Sequence, residues 1–121
     1  MNTKEKRFKD KIYKHIFFKK KMDELNISNK YTGYYVMIEI ISEIIDRQKI
    51  TSFSREVYPI VAKRFNMNDC TIERNIRSLM QKGCENIEIE KLGIAHEKDF
   101  QNLTCRKFLY LVKDYISQQI L

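Results

Sequence analysis

Between Asp69 and Lys82, Thr71, Arg74, Asn75, Arg77, Ser78 and Gln81 fall on one side of a 3.6-residue spiral, and each carries a hydrogen-bonding side chain. Two are arginines, whose planar fork can donate to both acceptors on the major-groove edge of a guanine, a pairing that discriminates by roughly 1–3 kcal/mol. Glu73, at the flank, suits either the amine of a cytosine or the orientation of a neighbouring arginine. On the opposite side Ile72, Ile76, Leu79 and Met80 recur at i, i+4, i+7 and i+8, the spacing of a core-facing stripe. One face glued to a domain and the other able to reach base edges is what a helix that reads duplex DNA requires. The same pattern also describes a solvated helix of an ordinary bundle, so its surroundings must decide.

Those surroundings read as a helix-turn-helix. Ser54–Phe65 forms a short helix with Val57, Val61, Ala62 and Phe65 inward, and Pro59 is tolerated there if the helix begins near residues 54–56. Asn66-Met67-Asn68 is a turn of suitable length, Asn68 can cap the next helix, Asp69 complements its dipole, and Gly83 stands where a left-handed glycine would end it. Lys63, Arg64 and Asn68 are placed for phosphates, which set register without reading sequence.

The charge distribution agrees with a polyanionic partner. Residues 1–21 hold nine Lys/Arg against Glu5 and Asp10, a net +7, equal to the whole chain's +7. Residues 22–46 sum to −4, residues 47–82 to +5 and residues 83–121 to −1. A basic arm and a basic middle block are thus separated by an acidic segment, and Lys19, Lys20 and Lys21 join the candidate phosphate contacts. With Phe17 and Phe18 the same lysines could instead lie on anionic lipid, or the arm could pack as the bundle's first helix with its lysines outward.

Further helices are predicted over about 5–25 (Phe8, Ile12, Ile16, Phe18, Met22, Leu25), over about 31–47 (Tyr34, Met37, Ile38, Ile41, Ile44, Ile45, widened by Val36 and Ile40) and from a Thr104 cap onward (Phe108, Leu111, Val112, Tyr115, Ile116). The second is apolar over most of its circumference and belongs at the centre of a bundle. Residues 84–103 are mixed, with Ile87 and Ile89 alternating too briefly to separate strand from helix. The predicted fold is all-α, one domain over 1–121: a compact bundle of about five to six helices, with a basic helix or arm over 1–26 and the bundle proper over 27–121.

At the reading segment the sequence also resembles a known family. Gly33-Tyr34-Tyr35, the run Tyr58-Pro59-Ile60-Val61-Ala62-Lys63-Arg64-Phe65-Asn66, and Ile72-Glu73-Arg74-Asn75-Ile76-Arg77 are similar to the DNA-binding effector domain of the master response regulator of endospore formation. The resemblance covers roughly residues 27–120 and implies a six-helix bundle that binds short promoter boxes, often as tandem copies. By position it assigns base reading to Glu73, Arg74 and Arg77. Cys70 stands where the family usually has serine, and Thr71 where it usually has arginine. About 26 residues precede the similar region, too few for a receiver domain, so the resemblance implies the reading head and not phosphorylation control.

The expected partner is therefore double-stranded DNA, bound by a stand-alone cytoplasmic regulator of transcription, with a homodimer on tandem sites compatible with the resemblance. The rival reading is an interaction module that pairs with or antagonises a full-length regulator, for which the final apolar helix ending Ile120-Leu121 would supply a face. No apolar run approaches the roughly 20 residues of a membrane span, and neither a membrane nor a small-molecule ligand is expected as a partner. Cys70, Cys84, Cys105, His15 and His96 lack the close pairs of a zinc site, so no metal or other cofactor is expected. Buried free thiols are the default, Cys70 excepted, since the start of a helix would favour its thiolate and with it redox chemistry. With no phosphate loop, nucleophile elbow or metal motif in the sequence, no enzymatic activity is expected.

Overall fold

Gly33, Tyr34, Val36, Met37, Ile38, Ile40, Ile41 and Ile44 are all buried, so the helix that carries them must be surrounded. It is the middle of the molecule. The computed structural model describes residues 3–47, 50 and 52–118, with the side chains of 4–12 excepted. The chain forms α1 (Thr3–Glu24), the central α2 (Thr32–Asp46), a π-helical turn (Phe53–Val57), α3 (Tyr58–Arg64), α4 (Asp69–Gly83), a 3-10 turn (Ile89–Leu92), α5 (Glu97–Gln101) and α6 (Cys105–Gln118). The fold is all-α, and α2 touches α1, α3, α4 and α6. Burying each large aliphatic chain of α2 contributes about 1.5–3 kcal/mol.

Two helices end in the same way, and neither uses glycine. Asn26 (φ 58°) and Asn66 (φ 54°) are left-handed. After α1, Asn26 N donates to Asp23 O and Ile27 N to Met22 O; after α3, Asn66 N donates to Lys63 O and Met67 N to Ala62 O. This paired pattern satisfies carbonyls that a helix end leaves open. Asparagine tolerates the conformation far better than a β-branched residue. Replacing Asn66 with Val is expected to cost about 1–2 kcal/mol, and with Gly to be nearly neutral, as read from thermal melts. Equal stability of the two variants would show that this backbone conformation is not what holds the turn.

Several expectations need correction. Gly83 is not a left-handed stop: it is the last residue of α4, and Cys84 beyond it is right-handed with φ −58°. The chain turns there because Asn86 N and Ile87 N both donate to Gly83 O. The helix expected from Ser54 is in two parts. Tyr58 N donates to Phe53 O, one residue further back than in an α-helix, and the α-helix proper starts at Tyr58. Pro59 has no amide to give, and it stands in the first turn of α3, where none is needed. Residues 84–103 hold no strand: a 3-10 turn (Ile89–Leu92), ended by Gly93 (φ 82°), and the short α5 lie among turns and irregular chain. Ile16 is 59 % exposed and not part of the core, because the inner face of α1 is set by Phe18, Met22 and Leu25. The side chains of Phe8 and Ile12, and Ile120-Leu121, lie outside the described residues. On α6 the expected stripe forms, with Thr104 Oγ1 accepting from Lys107 N at 3.1 Å as a cap, and Leu109 joins the buried set while Leu111 and Tyr115 are half-buried.

The acidic segment found in the sequence now has a role. Glu39 and Glu43 of α2 both receive the Arg64 guanidinium from α3, while Glu39 also meets His15 Nε2 at 2.8 Å and Asp46 meets Lys14, both from α1. The central helix holds its two basic neighbours through these carboxylates as well as through the core. At the other end of α1, Lys91 Nζ donates to Glu24 O, Glu88 N to Leu25 O and Asn26 Nδ2 to Asn86 O, pinning the chain after α4 to the end of α1.

Candidate nucleic-acid interface

Helix α4 is positioned from four directions. Ile72, Ile76, Leu79 and Met80 are buried, as their spacing requires. At its start, Asn68 Oδ1 accepts from Thr71 N at 2.8 Å and from Thr71 Oγ1 at 2.9 Å. The left-handed Asn66 sets the angle at which the chain enters. On its inner flank Gly33 of α2 lies so close that an added Cβ would stand 2.4 Å from Asn75 O and 3.1 Å from Leu79 Cβ. Only a residue without a side chain permits that approach.

The outward face is hydrophilic, but its residues are not equally free. Arg74 is exposed and, among the described residues, has no carboxylate partner. Arg77 Nη2 reaches Glu73 Oε1 at 3.0 Å one turn back, so Glu73 orients an arginine, one of the two roles open to it from sequence. That hydrogen bond raises the Arg77 pKa above its ordinary value. Thr71 is tied to the cap, and Asn75 is half-buried with Nδ2 3.6 Å from Met67 Sδ. Ser78 is half-buried, and Gln81 is exposed.

The candidate phosphate contacts divide further. Lys63, Lys19 and Lys20 are exposed. Lys21 is only 7 % exposed; its ammonium lies 2.9 Å from Glu24 and over the Phe17 ring, because its position falls near the inner face of α1. It does not share a surface with its two neighbours. Arg64 is engaged with Glu39 and Glu43; partial desolvation works against its charge, and the two carboxylates overcome that and raise its pKa. Asn68 is occupied by its cap. Arg64 depends on partners distant in sequence, Asn68 on a helix end and Lys21 on which face of α1 packs inward, none of which residue type alone shows.

Beside α4 lies a groove that sequence reasoning missed. It is lined by Ser52 and Ser54 before and within the π-helical turn, Tyr58, Glu73 and Arg77, and by Thr104 and Arg106 at the start of α6. Burial pushes the Tyr58 phenol up to about 12, so it remains a neutral donor. Cys105, at the back of the groove, is buried, and that burial raises its thiol pKa. Cys70 is exposed and Cys84 half-buried. The available signal was the Thr104 cap, which puts Arg106 in the first turn of α6, but nothing local says that this turn faces α4.

Among the described residues, no group of three or more His, Cys, Asp or Glu is placed to hold a metal ion, and no helix is long and apolar enough to cross a membrane. A helix with an apolar back and an arginine-bearing front, entered through a tight turn from a shorter helix, matches the pattern of the second helix of a nucleic-acid-binding helix-turn-helix. The chain belongs to the family described as sporulation initiation factor Spo0A C terminal, whose family model matches residues 18–116. That family is the DNA-binding domain of a sporulation regulator. No curated protein and no solved structure matches the chain. The matched region begins at Phe18, the first described core residue of α1, and so takes in only the last third of that helix.

Proposed function

We propose that the protein regulates transcription by sequence-specific binding of duplex DNA, with α4 in the major groove. Arg74 and Arg77 read base edges there, and Glu73 steers Arg77. The observation that carries this reading is the front of α4: an exposed Arg74, with no carboxylate partner among the described residues, beside the Glu73–Arg77 pair, on a helix held by its buried back and by Gly33. The membership of a DNA-binding family supports it. Lys63 and the exposed Lys19 and Lys20 contact phosphates, and two copies occupy tandem boxes.

Selection of bound duplexes from a random pool, followed by a salt titration, tests this. One short box should emerge, and log K should fall against log salt with a slope near −0.9 for each phosphate contacted. A second copy should bind where the box is repeated. A pool that yields no preferred sequence after several rounds would rule out sequence reading.

A further inference from the structure

We propose that the groove between the π-helical turn, α4 and the start of α6 is a phosphate site, with Arg106 as its principal cation, and that it holds a backbone phosphate of bound DNA. The inference rests on the proposed duplex binding and adds a contact to it.

The groove has a volume of about 320 Å³, room for a phosphate and its approach. Its charged groups are the Arg77 and Arg106 guanidiniums and the Glu73 carboxylate, a net +1 with Glu73 already bonded to Arg77. Arg106 differs from the other partnered arginines of the molecule. Arg47 pairs with Glu43, Arg64 with Glu39 and Glu43, and Arg77 with Glu73. Among the described residues no carboxylate meets Arg106. Its guanidinium is instead held over the rings of Phe53 and Tyr110, 5.5 and 5.8 Å from their centroids. Stacking of this kind orients the planar fork without satisfying its N–H groups. Those donors are left for an anion, and guanidinium matches the geometry of phosphate oxygens.

The walls add donors of the right kind. Ser52 Oγ and Ser54 Oγ are 3.1 Å apart, so one hydroxyl proton bridges them and the other is left over. Thr104 Oγ1 accepts from Lys107 N, and its own proton is free to point into the groove. Tyr58 stays protonated. The groove also adjoins Arg77, so a phosphate there would lie beside the bases that α4 reads. A free phosphate ion offers the same chemistry as a strand backbone, and the test separates the two.

Affinity and salt slope are measured for the wild-type chain, Arg106→Gln and Ser54→Asp, each on the selected duplex and on an unrelated one, with thermal melts of each variant. Ser54→Asp places a carboxylate at an exposed position of the same groove, so the test stands if Arg106→Gln fails to fold. The expected result is a loss of roughly 5- to 20-fold on both duplexes alike and a salt slope shallower by about 0.9. Amide shifts on titrating inorganic phosphate distinguish the source. Shifts at Ser54 and Thr104 together with the uniform loss show a site for phosphate in general that DNA occupies. The uniform loss without such shifts shows a site that needs the strand. Unchanged duplex affinity and slope in both folded variants overturns the proposal, with or without phosphate shifts. A loss confined to the selected duplex overturns it too, since it would make Arg106 a base reader. If the wild-type chain binds no duplex at all, the failure lies in the proposed function and not in this contact alone.

Discussion

With Arg74 and Arg77 both replaced by alanine, the protein is expected to lose its preference for the selected box while still binding DNA weakly. A good bidentate arginine–guanine pair is worth roughly 1–3 kcal/mol, so the double variant should weaken on the box by roughly 30-fold to 10⁴-fold. Binding to unrelated duplex should change far less, because the phosphate contacts remain. The two arginines are not equivalent. Among the described residues Arg74 meets no carboxylate, whereas Arg77 gives one of its donors, Nη2, to Glu73 at 3.0 Å. Both partners are about half exposed, so loosening that pair costs little. Arg74→Ala should therefore be the more damaging single change. The two sites are close enough to couple, and a double-mutant cycle on the selected box measures by how much. Undiminished affinity of the double variant would mean that α4 is not the reading helix.

Gly33→Ala is expected to destabilise the fold by about 1–3 kcal/mol, lowering the melting temperature by roughly 4–12 °C. Helix propensity argues for the opposite sign, since alanine inside a helix normally gains about 1 kcal/mol over glycine. Geometry decides between them. A methyl group at 33 would meet Asn75 O at 2.4 Å, a distance no Cβ can hold, and the obstacle is backbone that cannot swing aside. Helix α4 must then move away from α2, carrying Arg74 and Arg77 with it. The variant should accordingly lose box binding even at temperatures where it is fully folded. A melt showing Gly33→Ala to be more stable than the wild type would refute the close approach.

Helix α4 was legible in the sequence because its signals are local. Ile72, Ile76, Leu79 and Met80 recur at helical spacing, Asn68 stands at a cap position, and the hydrophilic side is uninterrupted. The centrality of α2 was legible for the same reason, from apolar residues around most of its circumference. What stayed hidden depends on how the elements pack together or on which of several local bonds the chain makes. Arg64 reads as a candidate phosphate contact from its type and position, and only the fold shows Glu39 and Glu43 of α2 beside it. Lys21 looked like its neighbours Lys19 and Lys20, although a step of one residue turns a helical side chain by about 100° and takes it towards the core. Gly83 carried a correct expectation of where α4 ends and an incorrect one of how, since hydrogen bonds from Asn86 and Ile87 do the work a left-handed glycine would have done. The groove around Arg106 is assembled from three elements and has no sequence signature.

Helix α1 runs unbroken from Thr3 to Glu24, yet the family match begins inside it, at Phe18. Its last two turns are welded to the bundle by Phe18, Met22 and Leu25 and by the hydrogen bonds to the chain after α4. Lys14 and His15 tie the helix to α2 as well, and residues 3–13 extend the same rod by roughly 16 Å at 1.5 Å per residue. Because the helix is unbroken, a displacement of residues 3–13 would be carried to the turn at Asn26, which is bonded to the chain that follows α4.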